Sequence, residues 1–337
     1  MKRFTALAAA VALAASLCAC TPRAGTGSGR LRVVCTLFPY YDFVRQIGGE
    51  DVDVTLLVPA GRETHSFEPT PLDVITISEA EVFVYNGGES EAWVEDILSA
   101  AGENIPYRLA MMDCVETRAE EFAEGMQGGH DHDDHDDHDD HDEHDEHDEH
   151  DGHLHDGHEE EIEYDEHIWT SPVNAMALCR ALCDTLCQAD PDNADGYRAR
   201  LEAYLVQLQT LDGTFREIVE DGTRRLVVFG DRFPLLYFCR EYGLDYRAAF
   251  HGCAGDTEPS LATLKYLIDL VNEQHIPVVY TIELSSRKVA NAIAETTGAQ
   301  VRTFHSCQTV SRGEFDGGAT YISLMTANAA ALKEGLA

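Results

Sequence analysis

Basic residues are scarce in this sequence. Lysine and arginine number 24 among 337 residues, against 61 aspartates and glutamates, and the formal net charge is -37. Such a chain lacks the clustered cations that neutralise phosphates, which argues against a nucleic-acid partner. Long apolar runs are scarce too: beyond residues 4–17, no stretch is long and apolar enough to span a bilayer. There is no His-Glu-x-x-His motif and no nucleophile elbow, so the local signatures of zinc proteases and serine hydrolases are missing. What is there suffices for a core. Hydrophobic residues make up 44% of the chain, and the length suits two lobes of about 130–150 residues each.

Much of the negative charge is local. Residues 130–166 hold 21 of the acidic residues and no lysine or arginine. Eleven of the 16 histidines lie in the same region: His130, His132, His135, His138, His141, His144, His147, His150, His153, His155 and His158. A tract of this composition builds no core, and disorder is expected over 119–163. A solvated acidic loop would explain the carboxylates but not evenly spaced imidazoles. Near pH 7 most imidazoles are neutral and free to ligate, so the tract reads as an accessory metal-binding loop. Sites assembled from floppy chain lose ordering entropy on binding and are expected to be weaker than a pre-formed site.

Lys2 and Arg3 precede the apolar run Phe4–Leu17, the pattern of a secretory signal. The run ends in Leu-Cys-Ala-Cys, which resembles a bacterial lipobox with Cys20 as the lipidated first residue of the mature chain. The reading is therefore a signal peptide over 1–19, a tether over 20–30, and an extracytoplasmic body held on a membrane by lipid. Export implies an oxidising compartment. Cys179, Cys183 and Cys187 recur every four residues and read as a buried helix stripe rather than a metal site. Cys253 and Cys307, each two residues after a histidine, are the disulfide candidates, although sequence does not fix pairing.

Short apolar runs at 31–38, 52–58, 82–86, 226–229, 277–282 and 299–304 alternate with helical patterns such as 258–273 and 286–297. That alternation predicts an α/β fold of two lobes with mostly parallel sheets. The predicted organisation is an N-terminal lobe over 31–190, a linking helix over 191–221 and a C-terminal lobe over 222–337. Tyr197, Leu201, Tyr204, Leu208, Leu211, Phe215 and Ile218 recur at steps of four and three. They predict one long amphipathic helix of about 40 Å, a rigid spine with no soft hinge.

In open parallel sheets, ligands gather beyond the carboxyl ends of the strands. His65 follows the strand at 52–58, His305 follows the strand at 299–304, and His167 lies in the loop after the acidic tract. All three can face an interlobe cleft. His275 precedes its strand and reads as a surface residue. His251, after a weaker strand, remains a rival ligand. Three neutral imidazoles and one further donor suit tetrahedral zinc better than manganese.

Three stretches carry a family resemblance. THSFEPTPLDVITISEAEVFVYNGGESEAW (64–93), DEHIWTSPVNA (165–175) and VVFGDRFPLLYFCREYGLDY (227–246) resemble the substrate-binding lipoproteins of bacterial zinc and manganese ABC importers, the ZnuA-like group. The resemblance implies that His65 and His167 are the first two ligands. The third-ligand slot falls on Gly230, which has no donor, with Asp231 one residue on as a weak substitute. The family's late aspartate slot falls on His305. The resemblance also implies two lobes bridged by a rigid helix, zinc as the transported ligand, and a permease with its ATPase as partners. It implies a monomer without catalytic turnover. The competing readings are a manganese or iron receptor, a zinc-sequestering surface protein, and a zinc-dependent hydrolase using Asp231, Glu258 or Glu283 as base.

Overall fold

The alternation of short β-branched runs with amphipathic segments yields two parallel sheets of the same strand order. The structure, a computed structural model, describes residues 29–64, 67–101, 105–126, 163–252 and 259–337. Cys20 and the rest of the predicted signal and tether through residue 28, together with His65, Cys253, Glu258 and the eleven tract histidines, lie outside the described residues. No helix among the described residues is long and apolar enough to cross a membrane.

In the first lobe, β1 (Leu31–Cys35), β2 (Val52–Leu56), β3 (Val82–Tyr85) and β4 (Tyr107–Ala110) pair in the order β2-β1-β3-β4. Helices α1 (Phe38–Gly48), α2 (Pro71–Ser78) and α3 (Trp93–Ala101) lie between the strands, and α4 (Pro172–Ala189) follows. The spine is α5 (Ala194–Asp221), 28 residues long. In the second lobe, β5 (Leu226–Phe233), β6 (Asp245–His251), β7 (Val278–Thr281) and β8 (Gln300–Thr303) pair in the order β6-β5-β7-β8. Helices α6 (Leu236–Tyr242), α7 (Leu261–Glu273) and α8 (Lys288–Thr297) alternate with these strands, and α8 stops at Gly298 in the left-handed region. Two helices close the chain, α9 (Arg312–Asp316) and α10 (Tyr321–Leu336).

The predicted stripe on α5 is buried except at its last member. Tyr197, Leu201, Tyr204, Leu208, Leu211 and Phe215 face the core, while Ile218 is half-buried and Val219 takes its place. A straight helix turns in 3.6 residues, so a 3.5-residue repeat drifts off the contact face by its third heptad. The spine packs on α1 and α4 of the first lobe and on α6 and α10 of the second. One apolar cluster consequently runs through both lobes. Cys179, Cys183 and Cys187 lie in that cluster, as a core stripe should.

Residues 119–126, at the start of the stretch expected to be disordered, are among the described residues. Residues 118–126 form an ordered strap that leaves the first lobe and lies across the second. Glu120 N donates to Glu163 O (2.8 Å) and Asp165 N to Arg118 O (2.9 Å), so the two ends of the tract are zipped together. Glu121 pairs with Arg240, Glu124 with Arg247, and Phe122 packs on the His251 ring at 5.4 Å. The strap carries apolar anchors and finds arginines opposite its carboxylates, which the tract's composition, averaged over its length, conceals.

Candidate metal centre

His305 follows a strand directly, and His167 lies on a loop against the carboxyl ends of β3 and β6; surrounding residues hold both loops tightly. His167 follows an Asp165 turn in which the Asp165 carboxylate accepts the His167 backbone N–H at 2.8 Å. Tyr237 donates its hydroxyl hydrogen to Asp165 O (2.8 Å), and Asn86 Nδ2 donates to Glu166 O (3.0 Å). The imidazole is fully buried, with Nδ1 3.2 Å from Asp165 Oδ1. That carboxylate orients the ring and favours the tautomer with the proton on Nδ1. Burial works against a charge on the ring. Asp165, and more weakly Glu166 and Glu120, outweigh it and hold the His167 pKa above its ordinary value. Gly252, just past β6, lies under the ring: a Cβ there would stand 3.0 Å from His167 Cε1 and 3.1 Å from Phe233 O. The close seat of the ring favours glycine at 252, since a larger residue would make the ring or the strand end give way by a few tenths of an ångström.

His305 follows β8 and is 5% exposed. Asn328 of α10 clamps its peptide, accepting from His305 N at 2.7 Å and donating to His305 O at 2.8 Å. Cys307 adopts φ 64, which folds its N–H back onto His305 Nδ1 at 3.0 Å. Glu283, just beyond β7, lies 3.4 Å from the same nitrogen. Its carboxylate also accepts the Ser306 N–H (2.7 Å) and the Ser306 hydroxyl. On the other side of the ring, Nε2 finds no hydrogen-bond partner among the described residues and faces Glu314 Oε1 at 3.8 Å. Burial disfavours the imidazolium, yet Glu283 and Glu314 overcome it and push the His305 pKa up to about 11. The same pairing draws the Glu314 carboxyl down to about 2. A cavity of about 330 Å³ opens beside these groups, with Ser285, Arg287 and Ser311 also on its wall.

The loops bearing the two histidines are joined through Trp169. Its indole stacks edge-on against the His167 ring at 5.6 Å, and its Nε1–H donates to Ser306 O at 2.8 Å. Tyr321 closes the join by donating to Trp169 O (2.8 Å). The chain leading to His65 meets the same region: Gly61 N donates to Val310 O (2.7 Å), and Arg232 pairs with Glu63 at 2.9 Å. Among the described residues, which do not include His65, no three His, Cys, Asp or Glu side chains cluster as a metal site.

The remaining candidates fall elsewhere. Asp231 uses one oxygen to accept the Arg232 N–H (2.9 Å) and the other to accept the Ile282 N–H (3.3 Å), so it braces the loop leading to Glu283. Gly230 is glycine for a packing reason. A Cβ there would stand 2.5 Å from Ala290 Cα and 2.7 Å from Ala290 N, because β5 lies directly on α8. His251 Nδ1 lies 3.0 Å from Glu120 of the strap. His275 is exposed at the amino end of β7. Asp165 and Glu314 are not among the residues singled out from the sequence. The first is signalled by its place two residues before His167, the second by the Ser-x-x-Glu capping box of α9.

Two parallel α/β lobes on a helical spine, with histidine loops at strand carboxyl ends, define the helix-bridged class of cleft-binding proteins. Residues 33–335 match the model of the family described as zinc-uptake complex component A, periplasmic (ZnuA), and the chain belongs to that family. It is 31% identical over 307 residues to the high-affinity zinc uptake system protein ZnuA of Bacillus subtilis, spanning 91% of this chain and 88% of that one. It is 29% identical over 328 residues to the zinc-binding lipoprotein AdcA of Streptococcus pneumoniae, spanning 96% of this chain and 60% of that longer protein. Among solved structures it resembles the Zn(II)-bound ZnuA-like domain of Streptococcus pneumoniae AdcA (TM-score 0.70, 26% identity, 91% of this chain and 99% of that one). It also resembles the metal-dependent lipoprotein YcdH of Bacillus subtilis (TM-score 0.72, 28% identity, 91% of this chain and all of that one).

Proposed function

We propose that this chain is the extracytoplasmic zinc receptor of an ABC importer, anchored by lipid on Cys20, monomeric, and without catalytic turnover. It captures Zn²⁺ between its lobes through His65, His167 and His305 and hands the ion to a permease driven by an ATPase. The observation that carries the reading is the pair of buried imidazoles, each with Nδ1 facing a carboxylate, Asp165 at 3.2 Å and Glu283 at 3.4 Å. A carboxylate behind Nδ1 raises the basicity of the ring and aims Nε2 at an ion. Nitrogen donors of this kind suit zinc, whereas manganese prefers more oxygen. The acidic histidine tract would supply weaker accessory sites that raise the zinc concentration near the cleft.

Competitive zinc titration of the chain against a chelating dye tests this. His167→Ala and His305→Ala should each weaken the tightest site at least about tenfold, while His275→Ala leaves it unchanged. Tighter binding of manganese than of zinc would transfer the reading to a manganese receptor. Restored growth of zinc-starved cells lacking their own receptor tests delivery, since a protein that only sequesters zinc would not restore it.

A further inference from the structure

The third-ligand slot on β5 is a glycine, and the backbone of α8 occupies the space that a side chain there would need. Any further protein donor must therefore come from elsewhere. We propose that Glu314 is that donor, a metal-ligating carboxylate that binds the transported Zn²⁺ together with His305. The proposal rests on the zinc-receptor reading.

Without metal the two groups form a loose ion pair rather than a well-formed hydrogen bond, with a spacing close to that of two donors on one ion. An N–H···O bond joins atoms at about 2.9 Å and is gone by about 3.6 Å. Two donors each about 2.1 Å from one tetrahedral zinc stand about 3.4 Å apart. Glu314 Oε1 lies 3.8 Å from His305 Nε2, a few tenths of an ångström beyond that span. His305 Nε2 is buried and finds no hydrogen-bond partner among the described residues. Its other nitrogen is already faced by the Cys307 N–H and by Glu283.

Glu314 is held ready for this role. Its Oε2 accepts the Ser311 N–H (2.8 Å) and hydroxyl (2.6 Å) in the α9 capping box, which leaves Oε1 toward the imidazole. Glu283 could not serve in its place without giving up Ser306, because its two oxygens accept the N–H and the hydroxyl of that residue. Arg287, on the same cavity wall, donates to Thr303 Oγ1 at 2.8 Å. The α9 loop also touches the approach to His65, where Gly61 N donates to Val310 O.

Glu314→Gln isolates the ligand role, because glutamine keeps the capping box while removing the charged donor. In the full chain with one equivalent of metal, this variant should bind zinc about 10- to 100-fold more weakly. The metal-free chain should stay folded, its melting temperature lowered only by the lost pairing with the His305 ring. With Co²⁺ as probe, the visible absorption of the variant should differ from that of the unaltered chain, as only a change in the ligand set would make it. Unchanged or tighter zinc binding by Glu314→Gln, alongside a large loss in His305→Ala, would overturn the proposal and leave the receptor reading standing. Unaltered zinc binding in both His305→Ala and His167→Ala would overturn both.

Discussion

His305 shows how much one residue's surroundings decide. Zinc at Nε2 requires the ring proton on Nδ1, where the Cys307 N–H and the Glu283 carboxylate both lie. With Nδ1 protonated, the ring would donate toward Glu283 instead of accepting the Cys307 N–H. Glu91 illustrates a second kind of control. It is buried beneath the loop that supports Glu166, and its Oε2 accepts the N–H groups of Asn86 (2.7 Å) and Gly87 (3.1 Å). Burial outweighs those bonds and raises its pKa from 4.5 to about 7. A carboxyl with a raised folded-state pKa contributes stability that is complete below the unfolded value and lost as pH rises through the folded one. Stability should therefore fall by about 3 kcal/mol between about pH 4.5 and pH 7 on account of this group. Denaturant titrations across that window should show a shallower slope for Glu91→Gln, and an identical slope would dismiss the assignment.

At the scale of elements, the approach of β5 to α8 gives the clearest expectation. Gly230→Ala forces a methyl into the Ala290 backbone, so it should destabilise by roughly 2 kcal/mol or more. Urea melts read this directly, and a loss below about 0.5 kcal/mol would mean that the two elements part freely. For the same reason Gly230→His should not restore the missing ligand. The main elements were legible in the sequence because their patterns are strong. The α5 stripe, the paired β-branched runs and the histidines at strand carboxyl ends each announce themselves. The rest was hidden for physical reasons. β4 is four residues long and half-exposed, so it shows neither alternation nor an apolar run. β5 continues past a bulge between Phe229 and Arg232, which breaks its pattern after 229. The strap at 118–126 owes its order to arginines on the other lobe, partners that no local window contains. Glu314 reaches His305 only through the turn between β8 and α9.

At the scale of the molecule, two sheets of one design are held by a continuous helix and by hydrogen bonds across the gap. The tie from Trp169 to Ser306 is joined by Phe38 N to Gln308 O (3.3 Å) and by Asp42, which accepts from Tyr321 N (2.8 Å). Lobe closure of many degrees would break several of these bonds and bend α5. X-ray scattering should therefore give the same radius of gyration with and without zinc, to within about 0.5 Å for a chain of this size. A larger contraction would show that the spine hinges. Deletion of 127–162 should leave the melting temperature and the tightest zinc site intact, because Ala119–Tyr164 pairing joins the chain on either side of it.

The chain has two tryptophans, Trp93 and Trp169. Trp93 packs on Phe67, while Trp169 lies against the imidazole of His167. An indole's emission responds to the charge and ligation of a neighbouring imidazole. With Trp93 changed to Phe, a single buried fluorophore would remain beside the candidate ligand, and its intensity would report zinc arrival in real time without an added dye.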